Sequence, residues 1–155
     1  MADVVSPQKR SLMMAGIKGK NTKPEMMIRA ALHRRGFRYR IHNKDLPGKP
    51  DLVFAKYRAV VFVHGCFWHA HECHLFKWPK SRSEFWREKI GGNRARDVVQ
   101  LAALDKAGWR VLIIWECALK GKTRIDFDVV INQTSTWLTG ADRLGVISGG
   151  SVDGD

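Results

Sequence analysis

The three cysteines of this chain, Cys66, Cys73 and Cys117, can meet only if an irregular loop closes onto the end of a strand. Hydrophobic periodicity stops over residues 64–80, and His69, His71 and His74 crowd around the first two cysteines. Thiolate and imidazole are the borderline-soft ligands zinc takes, and a structural site holds four of them in a tetrahedron. Three cysteines and one histidine complete that set. An odd number of cysteines argues against a disulfide framework and for a reducing compartment. Spacing alone does not choose the histidine: His71 alternates with Cys73, while His69 and His74 stay open. Cys117 follows the run WRVLIIW at 109–115, which reads as a fully buried strand, so a metal here pins the loop to the sheet edge.

The rest of the chain supplies elements for that sheet. Thr22-Lys23-Pro24-Glu25 has the spacing of a capping box, with proline in the first turn. It predicts a helix that buries Ile28, Ala31 and Leu32 and stops at Gly36. Phe37, Tyr39 and Ile41 then alternate with Arg38, Arg40 and His42, the period of a half-exposed strand. Residues 46–50 carry turn chemistry. The β-rich runs 51–55 and 59–63 around Lys56-Tyr57-Arg58 predict a hairpin. Ser81 to Glu84 offers a second capping box, opening a helix that Gly91-Gly92 should interrupt. Asn93 caps the next helix, which ends before Gly108. A weaker helix is expected over 125–138. Residues 1–21 read as a basic, flexible N-terminal arm, 22–140 as a single domain and 141–155 as a disordered tail. One mixed sheet with flanking helices, an α/β fold, accommodates that order.

The charge is lopsided. With 27 Lys and Arg against 15 Asp and Glu, the 155 residues carry a formal net charge of +12. Residues 1–125 hold 26 of the basic and 10 of the acidic side chains. A folded domain this positive is expected to meet a polyanion, of which nucleic acid is the commonest. No run approaches the length of a membrane helix, and the first 20 residues hold no apolar signal core.

Chemistry on such a polyanion has its own candidates. A hairpin turning at Tyr57 sets Asp51 and His64 at the same open end of the sheet. A carboxylate there is a hard ligand for Mg²⁺, and a nearby imidazole moves protons near neutral pH. Metal-assisted phosphodiester hydrolysis needs that pairing. Glu25 is ambiguous: as a capping-box partner it needs no catalytic role, and a catalytic one stays open. Phe67 and Trp68 in the loop, and Trp86 beside Arg82, Arg87 and Lys89, suit insertion between bases while the cations hold phosphates.

His64-Gly65-Cys66-Phe67-Trp68-His69, followed by His71, Cys73, Phe85-Trp86, Lys89, Asn93, Arg96-Asp97, Gly108-Trp109-Arg110-Val111 and Trp115-Glu116-Cys117, resembles the very-short-patch repair (Vsr) endonuclease family over about residues 8–120. The resemblance implies a restriction-endonuclease-like fold with a structural zinc site. It implies a bacterial, cytoplasmic, monomeric enzyme that nicks double-stranded DNA beside T:G mismatches left by deamination of 5-methylcytosine. It makes Asp51 and the Val63 backbone carbonyl the Mg²⁺ ligands, His69 the general base and His64 its partner. It assigns Zn²⁺ to Cys66, His71, Cys73 and Cys117, and base intercalation to Phe67, Trp68 and Trp86. Glu25, Arg82, Arg87, Lys89 and Asn93 become candidate DNA contacts, and mismatch-repair proteins candidate partners. Two positions depart from the family's pattern: Val63 stands where it usually has threonine, and Ala70 where it often has another histidine. A restriction-type or DNA-damage nuclease of the same fold, and a zinc-containing DNA-binding module without chemistry, are the alternatives. A complete Asp51, His64 and His69 set argues against the second.

Overall fold

The computed structural model describes residues 22–41, 43–67, 69, 71, 73 and 77–150. The expected N-terminal arm, Trp68, Ala70, His74 and the last five residues lie outside the described residues. Within them the order is α1 (Lys23–Arg34), β1 (Leu52–Phe54), β2 (Ala59–His64), α2 (Ser83–Lys106), β3 (Arg110–Trp115), α3 (Phe127–Thr139) and β4 (Leu144–Ile147). The four strands form one mixed sheet in the order β1-β2-β3-β4. β1 and β2 are antiparallel, whereas β2 with β3 and β3 with β4 are parallel. Parallel neighbours need long crossovers, and α2 and α3 supply them.

Both sheet faces are covered, which is why β3 is apolar throughout its interior. Leu112 and Ile114 of β3 join Val61, Leu52 and Phe54 in a core with Ile28 and Leu32 of α1 and Val130, Ile131 and Leu138 of α3. Val111 and Ile113 face the other way, onto Val53, Val60, Phe62 and Leu104 of α2. A strand buried on both faces loses the alternation of a half-exposed one. α1 starts as its cap predicts: the Glu25 amide donates to Thr22 Oγ1 at 3.4 Å, and Ile28, Ala31 and Leu32 are its buried apolar residues. The hairpin is present, closed by a 3-10 turn over Ala55–Tyr57. Among the described residues, no helix is long and apolar enough to cross a membrane.

Four expectations need correction. Gly91-Gly92 does not interrupt anything: α2 runs unbroken for 24 residues. Two glycines weaken a helix by about 1 kcal/mol each, but Ile90 and Leu104 are buried on either side of them and hold the helix to the sheet. The Ser81–Glu84 capping box is not formed either; Arg82, left-handed at φ 54°, occupies the cap position without a side-chain cap bond. Finally, the expected disordered tail contains β4. Its residues Leu144 and Val146 are exposed and Gly145 carries no side chain, so it lacks a strand's usual signature. Tertiary fit orders it instead: a Cβ at Gly145 would lie 2.6 Å from Trp137 Nε1 and 2.8 Å from Leu112 Cδ1. The half-exposed strand expected from Phe37 is reduced to one bridge, Arg40 to Val53.

Candidate active site and metal centre

The hairpin delivers Asp51 as its open end predicts. The Val63 amide donates to Asp51 Oδ2 at 2.6 Å, extending the β1–β2 ladder through a side chain and seating the carboxylate beside the residue that precedes His64. α1 brings a second carboxylate to the same place. Glu25 is buried, ion-paired to Arg29 at 3.0 Å and close against Asp51. Its amide is capped by Thr22, and its side chain shares a hydrogen bond with Asp51. Burial pushes the Asp51 carboxyl up to about 7; the Val63 amide opposes that rise, Glu25 adds to it and Arg29 opposes it. Two crowded carboxylates, one buried and one half-buried, are the arrangement that a hard divalent cation relieves, so these residues fit one.

Two stacked imidazoles begin one residue past Val63 along β2. His64 and His69 lie 3.8 Å apart at ring centroids and 5° from parallel. His69 Nδ1 is bonded to Asp97 Oδ2 at 2.5 Å, bringing in a residue from the middle of α2. His64 is buried, and burial first, then the neighbouring His69, lower its pKa to about 3 against the pull of Asp97. It is therefore neutral at pH 7. Imidazole lone pairs lie in the ring plane, so two parallel rings cannot aim at one ion. Ligand atoms of His64, His69 and Asp97 lie within 4.8 Å of one another, and with His69 bonded to a carboxylate the cluster can serve proton transfer.

The four sulfur and nitrogen ligands converge beyond β3. Ligand atoms of Cys66, His71, Cys73 and Cys117 all lie within 4.8 Å of one another. His71 Nδ1 is 3.4 Å from Cys66 Sγ and 3.6 Å from Cys117 Sγ. A tetrahedral ion with bonds of about 2.05 Å to nitrogen and 2.3 Å to sulfur sets those atoms about 3.6 Å apart. The site fits zinc by donor type and by spacing. Burial pushes the Cys66 and Cys117 thiols up, so a bound dication is what would ionise them. The surroundings hold the ligands in place. The Cys66 amide donates to Glu116 Oε1 at 3.2 Å, the His71 amide to the Cys66 carbonyl at 3.0 Å, and the Gly149 amide to Cys117 Sγ at 3.2 Å.

The aromatic candidates also gather. Phe67 meets Trp86 edge-on at 5.4 Å, and Trp86 meets exposed Phe85 at 5.2 Å. Arg82 caps the Phe85 ring at 4.4 Å and Arg87 caps exposed Trp78 at 4.6 Å, so cations and rings share one surface. Asn93 accepts a hydrogen bond from Arg96 on the same helix, and Lys89 is half-buried nearby in sequence.

Sequence reasoning gave no role to Asp97, Trp115 or Gly149, and left Glu25 between a helix cap, a DNA contact and a catalytic group. Asp97 is 28 residues from His69, and nothing local to either marks the pairing. Gly149 lies in the segment expected to be disordered, where a Cβ would come within 2.4 Å of Thr123 Oγ1.

Comparison with known proteins bears on this geometry. The family described as "DNA mismatch endonuclease Vsr" matches residues 2–75. The DNA mismatch endonuclease Vsr of Escherichia coli (strain K12) is 44% identical over 140 residues, covering 90% of this chain and 90% of that protein. The type II nicking enzyme V.XorIIP of Xanthomonas oryzae pv. oryzae is 51% identical over 119 residues, covering 77% of this chain and 88% of the relative. V.NmeAIP, a type II nicking enzyme of Neisseria meningitidis, is 48% identical over 122 residues, covering 79% and 87%.

Proposed function

The chain belongs to the Vsr family of DNA mismatch endonucleases, and from that premise we propose that it nicks one strand of duplex DNA beside a T:G mismatch left by 5-methylcytosine deamination. The observation that carries the chemistry is the assembly of the Asp51–Glu25 carboxylates and the Asp97–His69–His64 chain around one end of the sheet. The carboxylate at the hairpin mouth of a mixed sheet supports the restriction-endonuclease-like reading of the fold.

Asp51 and the Val63 carbonyl would hold Mg²⁺, which when bound stabilises charge on the scissile phosphate. His69, with Nδ1 committed to Asp97, offers Nε2 to the attacking water. Asp97 holds the ring in one tautomer and stabilises the imidazolium that forms, as a carboxylate does behind any histidine base. His64, kept neutral by burial, packs against His69 and denies water that face. Zn²⁺ at Cys66, His71, Cys73 and Cys117 would fasten the loop that carries His69 and Phe67 to β3. Phe67 and Trp86, with Trp68, form the wedge that opens a weakly stacked T:G step. Arg82, Arg87, Lys89 and Asn93 contribute contacts common to all sequences.

The test is nicking of two otherwise identical duplexes, one with T:G and one with C:G, in Mg²⁺ and in EDTA. Nicking of one strand of the T:G duplex alone, and only with Mg²⁺, is expected. Equal cleavage of both duplexes would return the protein to the restriction-type alternative, and tight binding without cleavage to the non-catalytic one.

A further inference from the structure

One indole ring touches the imidazoles of both centres. Trp115 ends β3, paired in register with His64 at the end of β2. His71 lies flat on it, with centroids 4.1 Å apart and planes 6° from parallel. The His64 and His69 rings, stacked on each other, both meet it edge-on, at 5.2 Å and 6.0 Å. The two stacks are crossed, and Trp115 belongs to one and walls the other. We propose that Trp115 is a positioning residue of the nicking reaction: its ring fixes the orientation of the His64–His69 pair and ties it to the seating of His71 in the metal centre. This rests on the nuclease reading above.

Hydrogen bonding does not orient His64. Its buried Nδ1 has no hydrogen-bond partner among the described residues. The ring is held by packing, between Phe62 at 5.2 Å, His69 and Trp115. His69 is tied to Asp97 through one nitrogen, which supplies a pivot and leaves rotation about it to the neighbouring rings. The backbone reinforces the link. Directly after Trp115 the chain turns into Glu116–Ala118, where Glu116 accepts from the Cys66 amide and Cys117 presents its thiol to His71. A shift of the loop moves His71 on the indole face and carries with it His69, two residues earlier. Misplacing a reacting group by about 1 Å costs on the order of 100-fold in rate. Losing a residue that supports a metal ligand costs about 10–100-fold.

The experiment compares Trp115→Leu and Trp115→Phe, both metal-loaded, with Trp109→Leu. Trp109 packs under the Arg58 guanidinium just before the opposite end of that strand and controls for lost stability alone. Two readouts are taken: steady-state nicking of the T:G duplex, and the imidazole ring-proton NMR signals of substrate-free protein. Trp115→Leu is expected to lower kcat about 10–100-fold with KM kept within about threefold, and to move the His64, His69 and His71 signals together. Trp115→Phe should fall between it and wild type, and Trp109→Leu should leave kcat and the three signals in place. A Trp115→Leu protein with wild-type kcat, or with only the His71 signal moved, overturns the proposal. Should the leucine variant fail to fold with metal, the phenylalanine variant decides. A reduced kcat at constant KM supports the link, and wild-type kcat with His64 and His69 signals unmoved overturns it. A wild-type protein that nicks nothing would instead overturn the proposed function, and the NMR signals would still report on Trp115.

Discussion

Asp51→Asn should abolish nicking and at the same time make the metal-free protein more stable. The carboxyl is raised from 3.8 to about 7, chiefly by burial, so ionising it inside the fold is unfavourable. Because the folded value lies above the unfolded one, its stabilising contribution is complete below pH 3.8. It drains away as pH rises and is gone above about 7. The gap of roughly three units at about 1.4 kcal/mol each sets a ceiling near 4 kcal/mol. Asparagine keeps an oxygen for the Val63 amide, offers an amide to Glu25 and carries no charge, so most of that cost disappears. We expect Asp51→Asn to gain about 2–4 kcal/mol at pH 8 in EDTA, or roughly 5–10 °C in Tm for a domain of this size. The gain should shrink to nothing by about pH 4, where both forms are neutral. Paired thermal melts across that range are the assay, with nicking measured on the same preparations. A variant no more stable than wild type at pH 8, or one whose gain is the same at pH 4, would refute the reasoning. A variant that nicks at the wild-type rate would remove Asp51 from the mechanism.

Cys73→Ser should lose bound zinc and fold less stably, since metal binding and folding are coupled. Metal analysis of purified protein checks it, with melts in the presence and absence of chelator. Asp97→Asn should lower kcat by about 10²–10⁴ while sparing KM, because the amide no longer enforces the tautomer of His69. Single-turnover nicking at saturating enzyme separates that loss from weakened binding. Phe67→Ala should weaken binding to the T:G duplex far more than to the matched one, with the salt dependence unchanged because no phosphate contact is lost. Equal losses on both duplexes at one salt concentration would leave Phe67 as a packing partner of Trp86.

What the sequence disclosed tracks how local the cause is. The α1 cap, the buried β3 run and the β1–β2 hairpin rest on neighbours a few residues apart, and all three are found. Cys66, His71, Cys73 and Cys117 come together as one group that could hold a metal ion, with His71 the histidine it contains. Spacing alone had left that choice open, because it depends on which ring the loop brings to the thiols. Asp97 stood in the motif without a role for the same kind of reason: a lone acid on a solvated helix gains meaning only when α2 packs it against His69. Gly91-Gly92 was misread because helix propensity was weighed without the buried anchors on either side. β4 was missed because its order comes from pairing with β3 and from the space Gly145 leaves for Trp137, neither of which shows in its four residues.

The raised carboxyl also governs how the divalent cation is recruited. A protonated Asp51 is a poor ligand, so below about pH 7 a cation must displace a proton to bind. The cation concentration giving half-maximal nicking should therefore rise about tenfold for each unit of falling pH between roughly 6.5 and 5, and level off above 8. A change in proton transfer at His69 alters the maximal rate at saturating cation and does not by itself move the midpoint of a cation titration. Mg²⁺ titrations of nicking at several pH values thus separate the two carboxylate-linked events, cation capture at Asp51 and proton transfer at the Asp97–His69 pair. Glu25 supplies an internal check. It adds to the rise in Asp51, so Glu25→Gln should lower the pH at which the midpoint levels off. A midpoint that stays constant from about pH 5.5 to 8.5 would mean that Asp51 holds no proton for the cation to displace, and that the carboxylate pair is not where the cation binds.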